Sequence, residues 1–124
     1  MPKKHHIGFN HAWDGIIYAL KTQKNFIFHT LIGVSALAMG IALQTTKTEL
    51  LILCILFVLG VVVEMVNTAV ESVVDLVTEE WHKDAKLAKD VSSGAMLVYA
   101  IGAGLIALMI LIPRLISLFN PLTY

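Results

Sequence analysis

The stretch Glu64-Met65-Val66-Asn67-Thr68-Ala69-Val70-Glu71-Ser72-Val73-Val74-Asp75 decides the fold and the chemistry together. It continues the uncharged apolar run Leu50 to Val63, so its first carboxylate lies at the end of a segment that belongs in a bilayer. At about 100° per residue, Glu64, Asn67, Glu71 and Asp75 fall within an arc of roughly 80° on one helix face. Thr68 and Ser72 lie close by, and the remaining positions are Val, Met and Ala. A carboxylate at membrane depth costs roughly 2.5–3.5 kcal/mol on insertion scales. The row therefore needs partners: a metal ion, a lysine or a polar substrate. The plain alternative is a helix end continuing into water, which suits Asp75 better than Glu64.

Working outward, the 124 residues allow one domain, 57% of them are hydrophobic and only 15% charged, and mean hydropathy is +0.79. Soluble domains average about 45–50% apolar and about 25% charged. A membrane protein is expected. Phe26 to Leu43 and Ala95 to Ile112 are two further uncharged runs, the second closed by Pro113 and Arg114. Spanning backbone must satisfy its own hydrogen bonds, so all three runs read as helices. Before them, Phe9, Ala12, Trp13, Ile16, Ile17 and Leu20 form one stripe of an amphipathic helix suited to the membrane interface. The expected architecture is all-α: a single domain over residues 1–124, with a surface helix at about 8–23 and spans at about 26–43, 50–70 and 93–112. Nine basic and nine acidic residues cancel, which excludes a basic nucleic-acid binder. The single Cys54 permits no intrachain disulfide. The polar or amphipathic first 25 residues lead us to expect no cleavable signal peptide.

Lys3, Lys4, Lys21 and Lys24 precede the first span, and Lys83, Lys86 and Lys89 join the second to the third; the opposite side has only Lys47 and Arg114. The positive-inside rule then places the N-terminus and the acidic row in the cytoplasm and the C-terminus outside. The third span opens with Glu79-Glu80-Trp81-His82-Lys83-Asp84 and Ala88-Lys89-Asp90-Val91-Ser92-Ser93-Gly94-Ala95. Lys86 and Lys89 share a face, and Ser93 lies one turn beyond Lys89. A short connector would bring these lysines to the carboxylates. Carboxylates that hold Mg²⁺ and lysines that hold phosphate oxygens are what phosphoryl transfer requires. No G-x-x-x-x-G-K-[ST] or G-x-G-x-x-G occurs, so a nucleotide site would be neither a P-loop nor a kinase glycine loop. At this level transport remains open.

The Glu64–Asp75 stretch resembles the E-x-x-N-[ST]-A-[IV]-E-x-x-V-D signature of the small bacterial membrane diacylglycerol kinase and undecaprenol kinase family. Ala88 to Ala95 is similar to its A-K-D-x-x-[SA]-[AG]-A motif, at the right distance. The resemblance covers nearly the whole chain. It implies ATP- and Mg²⁺-dependent phosphorylation of a membrane lipid in the bacterial inner membrane: diacylglycerol to phosphatidic acid, or undecaprenol to undecaprenyl phosphate. It also implies a homotrimer with sites between protomers. By motif position, Glu64 would be the catalytic base and would meet the lipid hydroxyl. Glu71 would ligate the metal and approach ATP, and Lys89 would hold the phosphates. Asp90, Glu80, Trp81 and His82 would line the ATP site, which the N-terminal helix would close with His11 beside nucleotide and Trp13 beside lipid. Asn67 and Asp75 would support the site, and Ser93 would border the lipid.

One position departs from the family. Its second metal carboxylate precedes the first span as E-x-N-x-x-x-H, whereas this chain reads Gln23-Lys24-Asn25-Phe26-Ile27-Phe28-His29. The ligand would then be the amide oxygen of Gln23. The Asn25 and His29 pair is closer to the undecaprenol-kinase branch, and His29 itself reads as a helix-end histidine hydrogen-bonded to a neighbour. In the third span, Gly94, Ala95, Gly102, Ala103 and Gly104 would permit close helix approach in an oligomer. The rival readings are a small proton-coupled transporter with Glu64 as carrier, against which the Lys89-Asp90 motif argues, and a noncatalytic pore or scaffold subunit, which would need no carboxylate row.

Overall fold

A computed structural model describes residues 8–120. Lys3 and Lys4, which contribute to the expected orientation, lie outside them. Four helices follow in order: α1 (Gly8–Thr22), α2 (Lys24–Ala42), α3 (Lys47–Val77) and α4 (Lys83–Phe119). No strand occurs among the described residues. The last three helices are long and apolar enough to cross a membrane.

The helices outrun their apolar cores. At 1.5 Å per residue, the 31 residues of α3 reach about 46 Å and the 37 of α4 about 55 Å, against a hydrocarbon layer of about 30 Å. The excess falls largely at the α3–α4 connection, where α3 carries Glu71 and Asp75 and α4 carries Lys83 to Ser92. At the other end, α4 continues through Pro113 to Phe119 rather than stopping at the proline.

Sequence chemistry sets the helix ends. Thr46 caps α3: its Oγ1 accepts the Glu49 N–H at 3.2 Å, while the Glu49 carboxylate accepts the Thr46 N–H at 2.7 Å. Gln44, at φ 53°, turns the chain between α2 and α3. His82 caps α4, its Nδ1 accepting the Asp84 N–H at 3.2 Å.

α3 packs between α2 and α4, and its buried residues, Leu53, Gly60, Glu64, Asn67 and Thr68, form one stripe. Close approach depends on glycines at the seams. A Cβ on Gly33 would lie 2.5 Å from the Phe57 ring, and one on Gly60 would lie 2.9 Å from Tyr99. The Tyr99 hydroxyl donates to the Leu56 carbonyl, fastening α4 to α3 at mid-height. By contrast, a Cβ on Gly94, Gly102 or Gly104 of α4 would meet nothing within 4 Å, so these small residues are open to a neighbouring molecule. Arg114 of α4 donates to Glu49 of α3 at 2.7 Å and joins the same helices at the far end.

α1 docks mainly on α2, and its buried residue is Ala19 rather than a member of the apolar stripe. Phe9 and Trp13 stay exposed, at 74% and 56%. Of the apolar stripe, Ile16 and Ile17 are half-buried, while Phe9, Trp13 and Leu20 stay open, as suits a helix at the membrane interface.

Candidate functional site

Two recesses lie along the α3–α4 seam. The first, of about 280 Å³, is walled by α2, α3 and α4. Its lining is chiefly Phe26, Phe57, Met96 and small residues such as Gly33, Gly60 and Ala103, with Glu64 and His29 among its few polar members. Glu64 is only 4% exposed. Its Oε2 lies 3.2 Å from Nδ1 of His29 on α2. Thr68, one turn on, donates its hydroxyl back to the Glu64 carbonyl at 3.0 Å. The histidine expected to bond a neighbour thus bonds the deepest carboxylate of the row.

The second recess, of about 370 Å³, lies at the α3–α4 connection. It gathers Asp75, Glu80, Trp81, His82, Lys86, Lys89 and Asp90. Lys89 donates to Asp75 Oδ1 at 2.5 Å, so the lysine of one helix meets the last carboxylate of the other. Lys86 pairs with Asp90 one turn along α4. Both pairs are solvent-exposed, which makes them weak individually and readily exchanged for a charged ligand. The connector is shaped by Thr78, whose Oγ1 accepts the Glu80 N–H at 3.2 Å.

Between the recesses a hydrogen-bond chain sets Glu71. The Ser92 hydroxyl donates to Asn67 Oδ1 at 2.7 Å. That bond turns the Asn67 amide so that Nδ2 donates to Glu71 Oε1, at 3.1 Å. Sequence reasoning singled out Ser93, which is exposed, and missed Ser92, which reaches α3. The signal available was the heptad-like step from Ala85 through Lys89 to Ser92, positions on one face of α4.

Gln23 is the N-cap of α2, half-buried, and its side chain caps neither helix. No trio of His, Cys, Asp or Glu assembles into a metal site among the described residues. The two candidate ligands named from the sequence, the Glu71 carboxylate and the Gln23 amide, stand on separate helices and are both hard oxygens. They fit Mg²⁺, which is commonly held by one or two carboxylates together with substrate phosphates. His11 and Trp13 lie on the exposed side of α1.

The sequence profile described as prokaryotic diacylglycerol kinase matches residues 10–111. A Synechocystis protein named diacylglycerol kinase is 40% identical over 113 residues, covering 90% of this chain and 65% of that protein. A Bacillus subtilis protein named undecaprenol kinase is 36% identical over 107 residues, covering 86% and 87%. A Sinorhizobium diacylglycerol kinase is 31% identical over 117 residues, covering 90% and 85%. The matched region takes in α2, α3, both recesses and nearly all of α1 and the apolar part of α4. With three membrane-length helices and these matches, the chain is an integral membrane protein of the prokaryotic diacylglycerol kinase family, phosphotransferases that act on an alcohol.

Proposed function

We propose that the chain transfers the γ-phosphate of ATP, with Mg²⁺, to the hydroxyl of a membrane lipid, diacylglycerol or undecaprenol. The observation that carries this reading is the placement of Glu64 in an apolar recess and of Lys89 in a charged one, on the same pair of helices. The names of the relatives supply both alcohols.

In this mechanism the lipid hydroxyl comes to Glu64 through the membrane-level recess, and Glu64 takes its proton as the oxygen attacks. The new bond joins that oxygen to the γ-phosphorus. The bond from the γ-phosphorus to the β–γ bridging oxygen breaks, and ADP leaves. Lys89 moves from Asp75 to the phosphates and offsets charge there. Mg²⁺, when bound, neutralises charge on the phosphate oxygens, held by Glu71 with Gln23. Ser92 and Asn67 keep Glu71 oriented. Asp90, Glu80, Trp81, His82 and His11 line the nucleotide side, and Ser93 and Trp13 border the lipid. General-base help is worth about 10²–10⁴-fold.

α4 leaves Gly94, Gly102 and Gly104 with no neighbour from their own chain within 4 Å, which supports a homotrimer with sites completed between protomers. The lysine distribution supports placement in the bacterial inner membrane with the N-terminus and the site cytoplasmic and the C-terminus outside.

The test is purified protein in mixed micelles with Mg-ATP and either diacylglycerol or undecaprenol, reading ADP release. Lipid-dependent release is expected with at least one alcohol. No release with either removes the kinase reading and returns Glu64 to the transporter alternative.

A further inference from the structure

His29 stands on α2, away from the acidic row, yet its ring reaches across to the one carboxylate of that row that is buried. When Glu64 acts as a base it is a carboxylate, which only accepts hydrogen bonds, and across the 3.2 Å contact the donor is then Nδ1 of His29. The ring is steadied by its neighbour Phe28, with ring centroids 5.9 Å apart and a tilt of 54°. Both Glu64 and His29 line the same apolar recess, where the other side chains are chiefly hydrocarbon. A glutamate has three rotatable bonds before its carboxylate, and in such walls few partners can fix the last of them.

We propose that His29 is a positioning residue for phosphoryl transfer: by donating from Nδ1 to Oε2 of Glu64, it turns Oε1 toward the incoming lipid hydroxyl. This role rests on the reading of Glu64 as the base. It gives α2 a part in the reaction that the acidic signature alone does not contain. It also ties the lipid pocket to the proton acceptor, since the helix that walls the pocket aims the carboxylate.

Side-chain chemistry supplies the test. An asparagine places its amide nitrogen two bonds from Cβ, where histidine has Nδ1. A glutamine places its nitrogen one bond further, where histidine has Nε2. The variants His29→Asn, His29→Gln and His29→Phe are assayed in mixed micelles with Mg-ATP and each lipid alcohol, with thermal unfolding in detergent as the folding control. His29→Asn is expected to keep kcat within about threefold of the parent. His29→Gln and His29→Phe are expected to lose about 10- to 100-fold in kcat, with KM for ATP and for lipid unchanged. A residue that merely ties α2 to α3 would lower the unfolding temperature and leave kcat unmoved. The proposal is overturned if His29→Gln performs like His29→Asn, if the loss appears in KM alone, or if folded His29→Phe retains full kcat. Should His29→Phe fail to fold, the Asn and Gln pair decides the matter. Glu64→Gln run alongside separates the two levels: near-full turnover there removes the base itself and the role of His29 with it. Loss of turnover there beside an indifferent His29 series overturns only the positioning role.

Discussion

The two recesses share a helix pair and differ in nearly everything else. Around Glu64 the walls are hydrocarbon, the carboxylate is buried, and its side-chain partner is an imidazole from α2. Around Lys89 the walls are charged and wet, and the lysine is held by an exposed carboxylate, 61% accessible at its side chain. Along α3, Glu64 and Asp75 are about 16 Å apart, with Glu71 about 10 Å from the first and about 6 Å from the second. In the proposed reaction this contrast would separate the reactants by solvent. An apolar pocket admits a lipid alcohol and excludes a nucleotide, while a charged surface recess does the reverse. Glu71, oriented by Ser92 through Asn67, lies along α3 between the two.

This division can be broken at either end. Glu64→Gln keeps the shape and the hydrogen bond of the buried side chain but removes the base. Turnover, read as lipid-dependent ADP release, is expected to fall about 10³-fold in a folded protein. Lys89→Ala attacks the other recess. Asp75 is already exposed, so the loss of its partner leaves the fold intact, while turnover is expected to fall about 10²-fold with a higher KM for ATP and an unchanged KM for lipid. A rise in the lipid KM instead would show that the recesses are not divided by reactant. Ser92→Ala frees the Asn67 amide to turn. The half-saturating Mg²⁺ concentration is expected to rise about tenfold, measured at saturating ATP and lipid. Gln23→Glu replaces an amide oxygen with a carboxylate, and the half-saturating Mg²⁺ is expected to fall by a fewfold, about 1 kcal/mol in metal affinity. An unchanged profile would argue that position 23 is no ligand. The smallest effect belongs to the far end. Arg114→Ala removes the Arg114–Glu49 ion pair, remote from both recesses, and should lower the unfolding temperature slightly with turnover preserved.

Much of this was legible in the residues. The uncharged runs announce three spans, because a bilayer tolerates little else, and the spacing of Glu64, Asn67, Glu71 and Asp75 puts them on one face whatever the packing. Lys89 meets Asp75 because a short connector leaves two antiparallel helices few registers. What the chain order does not carry is which side chain on a neighbouring helix completes a contact. His29 and Glu64 are separated by 35 residues and Ser92 and Asn67 by 25, and their meetings depend on how closely Gly33 and Gly60 let the helices approach. Amphipathic periodicity located α1, and its stripe leaves Phe9 and Trp13 open, as a helix lying at a membrane interface requires. Pro113 marks a limit: a residue that usually ends a helix sits inside one.

Arg114 and Glu49 clasp α3 to α4 at one end, and the Tyr99 hydroxyl pins them at mid-height. Toward the connector, the ties between these helices give way to the Ser92–Asn67 bond and the exposed Lys89–Asp75 pair. The two rods are thus tied at both ends, by the ion pair at the end the chain leaves open and by the five-residue connector beside the charged recess. The apolar recess that lies between these ties is held from both directions.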